Sequence, residues 1–138
     1  MEVPANFSGG CACGSIRYHC SASPLVMINC HCRDCQRAGG SAYSPTVVIH
    51  SASFLLLRGE PRYHELAADS GNIARRGFCE NCGSPLFAST SARPDVMSIR
   101  AGSLDDPKWF RAQREYWTRS AQPWDTLSPD TVKFATTR

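Results

Sequence analysis

The sequence predicts a single, mostly β domain with short helical turns, spanning residues 1–138. Three observations lead there. Apolar stretches are short and stop at glycine, proline or serine turns, as strands do. One segment, Cys32 to Ala38, has a pattern able to close helical turns. Seven of the eight cysteines fall into three tight groups spread along the chain, which would tie distant strands together.

Taken in order, Phe7-Ser8-Gly9-Gly10-Cys11-Ala12-Cys13-Gly14 brackets two cysteines with glycines and reads as a knuckle-like turn. Ser15 to Cys20 alternates, with Ile16, Tyr18 and Cys20 on one face and Arg17 and His19 on the other, so a half-buried strand follows and Cys20 belongs to its apolar side. After the Ser23-Pro24 turn, Leu25 to Ile28 form a buried strand leading into Cys30-His31-Cys32-Arg33-Asp34-Cys35. Cys32 to Ala38 makes one or two helical turns, which Gly39-Gly40 terminates. Thr46 to Ile49, Phe54 to Leu57 and, beyond the Gly59-Glu60-Pro61 turn, Arg62 to Leu66 are further strands. Ala67 to Asn72 is a loop, and Ile73 to Phe78 delivers Cys79-Glu80-Asn81-Cys82-Gly83, a second knuckle whose glycine lets backbone amides turn toward sulfur. Pro85 to Ser89 and Val96 to Ala101 complete the strands, and Asp105-Asp106-Pro107 starts a helical turn with proline near its first position. Trp109, Trp117 and Trp124, with Phe110, Tyr116 and Phe134, are expected to serve core and lid packing.

Composition narrows the function classes. The 20% charged and 42% hydrophobic residues are ordinary for a globular chain, and no apolar run approaches the ~20 residues that cross a bilayer. Met1 to Gly10 lacks the basic start and apolar core of a secretory signal. A cytoplasmic, reducing location is therefore expected, where cysteines serve as thiols or metal ligands rather than disulfides. The net charge of +3 comes mainly from arginines dispersed from Arg17 to Arg138, with Lys108 and Lys133 the only lysines. Dispersed arginines suit two-point recognition of an anionic small molecule, whereas a nucleic-acid partner would call for a clustered basic stripe.

Cysteines one or two residues apart point readily at one ion, and a disulfide across so few residues is strained. With Cys20 in the core, the count is Cys11 with Cys13, Cys30 with Cys32 and Cys35, and Cys79 with Cys82. Pairing the outer groups gives a four-thiolate site that clips the ends of the sheet system together and leaves three thiolates for a second zinc with an open position. Spacing also admits the partition in which Cys30 and Cys32 join Cys79 and Cys82. His31, between two ligands, would point away from the metal they share, so it is a poor fourth ligand.

These motifs, from Gly9-Gly10-Cys11-Ala12-Cys13-Gly14-Ser15-Ile16-Arg17-Tyr18 through Cys30-His31-Cys32-Arg33-Asp34-Cys35-Gln36-Arg37 to Phe78-Cys79-Glu80-Asn81-Cys82-Gly83-Ser84, together resemble the glutathione-dependent formaldehyde-activating enzyme family, which includes the centromere protein V relatives. The resemblance implies several coiled, mainly antiparallel β-sheets stabilised by zinc. It implies two ions, a structural zinc on Cys11, Cys13, Cys79 and Cys82, and a second zinc on Cys30, Cys32 and Cys35, where glutathione and formaldehyde meet. One departure stands out: many members carry a histidine ahead of the final Pro-Trp, where this chain has Glu115, then Tyr116 and Trp117, before Pro123-Trp124.

Three thiolates on a divalent zinc leave one negative charge, which makes the ion a weak activator of water and a better seat for a soft thiol. The expected activity is that of a carbon-sulfur lyase, the reversible addition of glutathione or a similar thiol to formaldehyde or another small aldehyde. Arg33 and Arg37 are candidate contacts for a substrate carboxylate, and Gly39 and Gly40 candidates for close approach of backbone amides. A zinc deaminase is excluded because its His-x-Glu and Pro-Cys-x-x-Cys signature is absent. The competing expectation is a non-catalytic zinc-stabilised module that binds protein or nucleic acid.

Overall fold

The computed structural model describes residues 2–68 and 70–137. Two sheets make up the fold. In the smaller, β1 (Phe7–Gly10), β2 (Arg17–Cys20) and β5 (Phe54–Arg58) pair antiparallel in the order β1-β2-β5. The larger contains β3 (Val26–Cys30), β4 (Ser44–His50), β6 (Arg62–Ala67), β7 (Ile73–Phe78), β8 (Pro85–Thr90), β9 (Val96–Arg100), β10 (Arg114–Tyr116) and β11 (Val132–Lys133). Its order is β11-β10-β3-β4-β9-β8-β7-β6, antiparallel except where β10 runs parallel to both β3 and β11. One α-helix is described, α1 (Arg33–Gly39), with short 3-10 turns elsewhere. The mainly β expectation therefore holds, and no described helix is long and apolar enough to cross a membrane.

The core lies between the sheets, and period-two alternation places it there. In the larger sheet Met27, Val47, Ile99 and Phe87 lie on one row and face inward. In the smaller sheet Tyr18 is fully buried, and its ring meets Phe87 at 5.4 Å while Phe54 meets Phe87 at 5.0 Å. Phe87 is buried and contributes roughly 1.5–3 kcal/mol from burial, Tyr18 is buried against it, and half-buried Phe54 completes the contact between the sheets. Cys20 sits in the same core, as the alternation from Ile16 requires.

Several expectations need adjustment. Phe7 to Gly10 is strand rather than turn, because its residues pair with β2, and the knuckle is confined to the segment after it. β6 continues to Ala67, while Asp69, in the expected loop, lies outside the described residues. The tryptophans divide: Trp109 is buried against Phe7 with ring centres 5.2 Å apart, Trp117 is half-buried, and Trp124 is 70% exposed, so packing does not account for it. The short β10 was not anticipated, since Arg-Glu-Tyr carries no apolar alternation and its partner lies far away in sequence.

Candidate metal centres

Two knuckles form the outer group. Cys11 accepts the Gly14 N–H at 3.2 Å and Cys79 accepts the Gly83 N–H at 2.7 Å through their carbonyls, and both glycines have positive φ, 78° and 79°. That left-handed turn is cheap for glycine and lets each pair of thiols converge. The four sulfurs of Cys11, Cys13, Cys79 and Cys82 lie within 4.8 Å of one another, a set that can hold a metal ion. Tetrahedral zinc with Zn–S of about 2.3 Å requires sulfurs about 3.8 Å apart, and Cys11–Cys13 is 3.6 Å and Cys13–Cys79 3.8 Å. The donor set therefore fits the ion.

Neutral donors surround these sulfurs. The Ile16 amide donates to Cys11 Sγ at 3.2 Å, Asn81 Nδ2 to Cys13 Sγ at 3.2 Å, and the Ser84 hydroxyl lies 3.2 Å from Cys82 Sγ. Hydrogen bonds from the Ser84 hydroxyl and amide bring the Cys82 thiol down to about 5. Burial opposes ionisation of Cys11, but the Ile16 amide and Ser15 hydroxyl outweigh it and bring that thiol to about 7. Ser84 Oγ also accepts the Ala12 N–H at 3.0 Å, tying one knuckle to the other.

The central group forms where a strand becomes a helix. Cys30 ends β3, Cys32 is the N-cap of α1 with its sulfur accepting the Cys35 N–H at 3.3 Å, and Cys35 lies one turn in. The three sulfurs lie within 4.8 Å of one another, and among the described residues no further histidine, cysteine or carboxylate joins them. Hydrogen bonds from Cys30 and Cys32, then from Ser44 and Arg76, pull the Cys35 thiol far below the usual range. Cys30, donating to its neighbours and buried, is pushed far above it. Arg76 Nη2 lies 3.7 Å from Cys35 Sγ, and Arg100 donates to the Ser44 hydroxyl at 2.6 Å.

Of the other expected site residues, Arg33 and Arg37 are exposed on α1, and Arg33 bonds the Gln36 side chain. Gly40 is the left-handed cap of α1, φ 65°, with open space around it, so it is a helix stop. Gly39 is closely approached, since a Cβ there would stand 3.2 Å from Arg100 Nη1. A cavity of about 510 Å³, lined by Gly39, Tyr43, Arg100 and Arg17, runs from the end of α1 toward Cys11; the three central cysteines do not line it.

His31 points to the opposite side from its cysteine neighbours, as the strand period predicts. It is 0% exposed, and its Nε2 lies 2.9 Å from Glu115 Oε1, which also accepts from Asn29 Nδ2 at 3.2 Å. The His31 N–H donates to the Tyr116 carbonyl at 2.9 Å, and Gln36 Nε2 donates to the carbonyls of His31 and Ser120. The metal loop is thus anchored to β10 and the segment after it. Burial opposes ionisation of Glu115, yet hydrogen bonds from Thr131, His31 and Asn29 hold its carboxyl below the ordinary value.

Sequence reasoning missed Arg76, Arg100 and the His31–Glu115 pair. A signal existed for Arg100, because it closes a mostly apolar strand, Val96-Met97-Ser98-Ile99, where a charged residue is unusual. None existed for Arg76 beyond its place three residues before Cys79.

The family model described as glutathione-dependent formaldehyde-activating enzyme matches residues 6–120. A crystal structure of a Rhodobacter sphaeroides protein shares the fold, with a TM-score of 0.59 at 18% identity, over 73% of this chain and 92% of that one. The match extends across all three cysteine motifs, so this chain belongs to the glutathione-dependent formaldehyde-activating enzyme family.

Proposed function

We propose that the protein is a carbon-sulfur lyase with two zinc ions, promoting reversible addition of glutathione or a similar thiol to formaldehyde or another small aldehyde. The observation that carries this reading is the contrast in ligand number, four sulfurs in one group and three in the other. Cys11, Cys13, Cys79 and Cys82 would close a structural site, while Cys30, Cys32 and Cys35 would leave a coordination position for substrate sulfur. Zinc bound at the central group supplies a seat at which an incoming thiol stays deprotonated at neutral pH.

The rest falls to the chain and the substrates. Sulfur forms the new bond to the carbonyl carbon, the π pair moves to oxygen, and that oxygen takes a proton, while the thiol proton leaves to solvent. The reverse breaks the same carbon-sulfur bond. Cys30, Cys32 and Cys35, set by the strand-to-helix junction, would hold that zinc and so fix where the reacting sulfur sits. Gly39 lines the neighbouring cavity, and Arg33, Arg37 and Gly40 lie along the same helix and its cap, where a substrate tail carrying carboxylates would meet them. A cytoplasmic setting suits eight unpaired cysteines.

The test has two parts. Purified protein should hold two zincs, and Cys32→Ser should lose one while keeping the fold. Exchange between free and thiol-bound formaldehyde, followed by nuclear magnetic resonance, should be accelerated by the wild type and not by Cys32→Ser. Equal exchange with both proteins would instead support the non-catalytic binding module.

A further inference from the structure

Arg76 and Arg100 reach the central thiols from a different part of the fold. β7, β8 and β9 place Arg76, Ala88 and Ser98 on one row, with Arg100 two residues beyond Ser98, so both arginines share the sheet face that carries Ser44 and Cys30. Arg76 meets Cys35 Sγ directly, and Arg100 reaches the same cysteine through Ser44. Arg100 is only 8% exposed. Neither pairs with a carboxylate among the described residues, and the Nε of each is buried without a partner.

A desolvated cation without a counter-charge is strongly unfavourable. The groups set against the two arginines are the central thiols: Cys35 Sγ stands 3.7 Å from Arg76 Nη2, and Ser44 links Arg100 to the same cysteine. Three thiolates with one divalent ion sum to one negative charge, and two guanidiniums turn the local total to one positive. An anionic ligand at the open position brings the site to neutrality, whereas a neutral ligand leaves the excess in place.

We propose that Arg76 and Arg100 are specificity-determining residues that make the open position of the central site select anionic over neutral ligands. This rests on the reading that Cys30, Cys32 and Cys35 hold a metal with a position free. A substrate sulfur is therefore favoured as the thiolate, and water or an uncharged donor is disfavoured, by charge rather than by shape.

The experiment uses the cobalt-loaded full chain, whose visible absorption reports ligands at the open position without turnover. Azide serves as the anionic probe and imidazole as the neutral one. Arg76→Met should weaken azide about tenfold or more, the scale on which one nearby charge acts, and leave imidazole unchanged or tighter. Arg76→Lys should restore most of the azide affinity. Because Arg100 is buried, Arg100→Lys is its informative variant, and it should retain the preference for azide. Equal losses for both probes in Arg76→Met, or no loss for either, would overturn the inference while leaving the metal assignment intact. A wild-type protein whose central cysteines take up no cobalt would overturn the functional reading itself.

Discussion

The two cysteine groups use the same local unit, a Cys-x-x-Cys turn plus one or two further thiols, and are surrounded differently. At the outer group the sulfurs receive amide and hydroxyl hydrogen bonds, and two of the four, Cys13 and Cys82, are exposed. Water screens whatever charge remains. At the central group none of the three thiols is exposed, and beside the Cys35 amide that donates to Cys32 a guanidinium, Arg76, reaches a sulfur, with Arg100 behind Ser44. The lesson is that ligand number alone does not separate a clip from a working site. The surroundings differ as well: three thiolates on one divalent ion would leave a single negative charge beside two guanidiniums, whereas four would leave two negative charges among neutral donors and water.

The sharpest way to break this division is to damage the outer group. Cys79 is buried and carries the knuckle that holds β7 and β8 against the β1–β2 hairpin. A structural zinc contributes on the order of 10–16 kcal/mol to folding, against a net domain stability of about 5–15 kcal/mol. Cys79→Ser should therefore abolish the cooperative melting transition, as followed by circular dichroism, where Cys32→Ser should retain it. Comparable melting of the two variants would mean that the groups are not divided between fold and function.

A smaller effect separates the groups without mutation. Challenged with a chelator in the presence of a metallochromic dye, the protein should release its metal in two phases of equal amplitude. The first, from the open central site, should leave the melting temperature nearly unchanged, and the second should coincide with unfolding. Release in one phase would remove the contrast.

How much of this could be read in advance follows from what is local. The cysteine spacings, the β2 alternation and the Gly39-Gly40 helix stop are short-range signals, and each was visible in the chain. The orientation of His31 was visible too, since a strand of period two leaves its middle residue facing away from two flanking ligands. Its partner was not. Glu115 reaches His31 only because β10 docks parallel to β3, a pairing fixed by a long connection with no turn signal of its own. Arg76 and Arg100 were hidden for the same reason: they come from separate strands and meet near Cys35 only through the register of β7, β8 and β9.

The His31–Glu115 pair offers the finest test, because it supports the central group without touching the ligands' sulfurs. Replacing Glu115 with glutamine keeps the shape and removes the charge, and loss of a charged partner from a buried hydrogen bond costs about 1–3 kcal/mol. Glu115→Gln should accordingly lower the melting temperature at neutral pH while leaving metal content intact. The pH dependence carries the sign. Folding lowers the pKa of the Glu115 carboxyl, so its contribution is fully present above the unfolded value near 4.5 and disappears as pH falls through the lower folded value. The gap between wild type and Glu115→Gln should therefore narrow below that point. A gap that stays constant into acid would assign the loss to altered packing around β10 rather than to the charge that steadies the central loop.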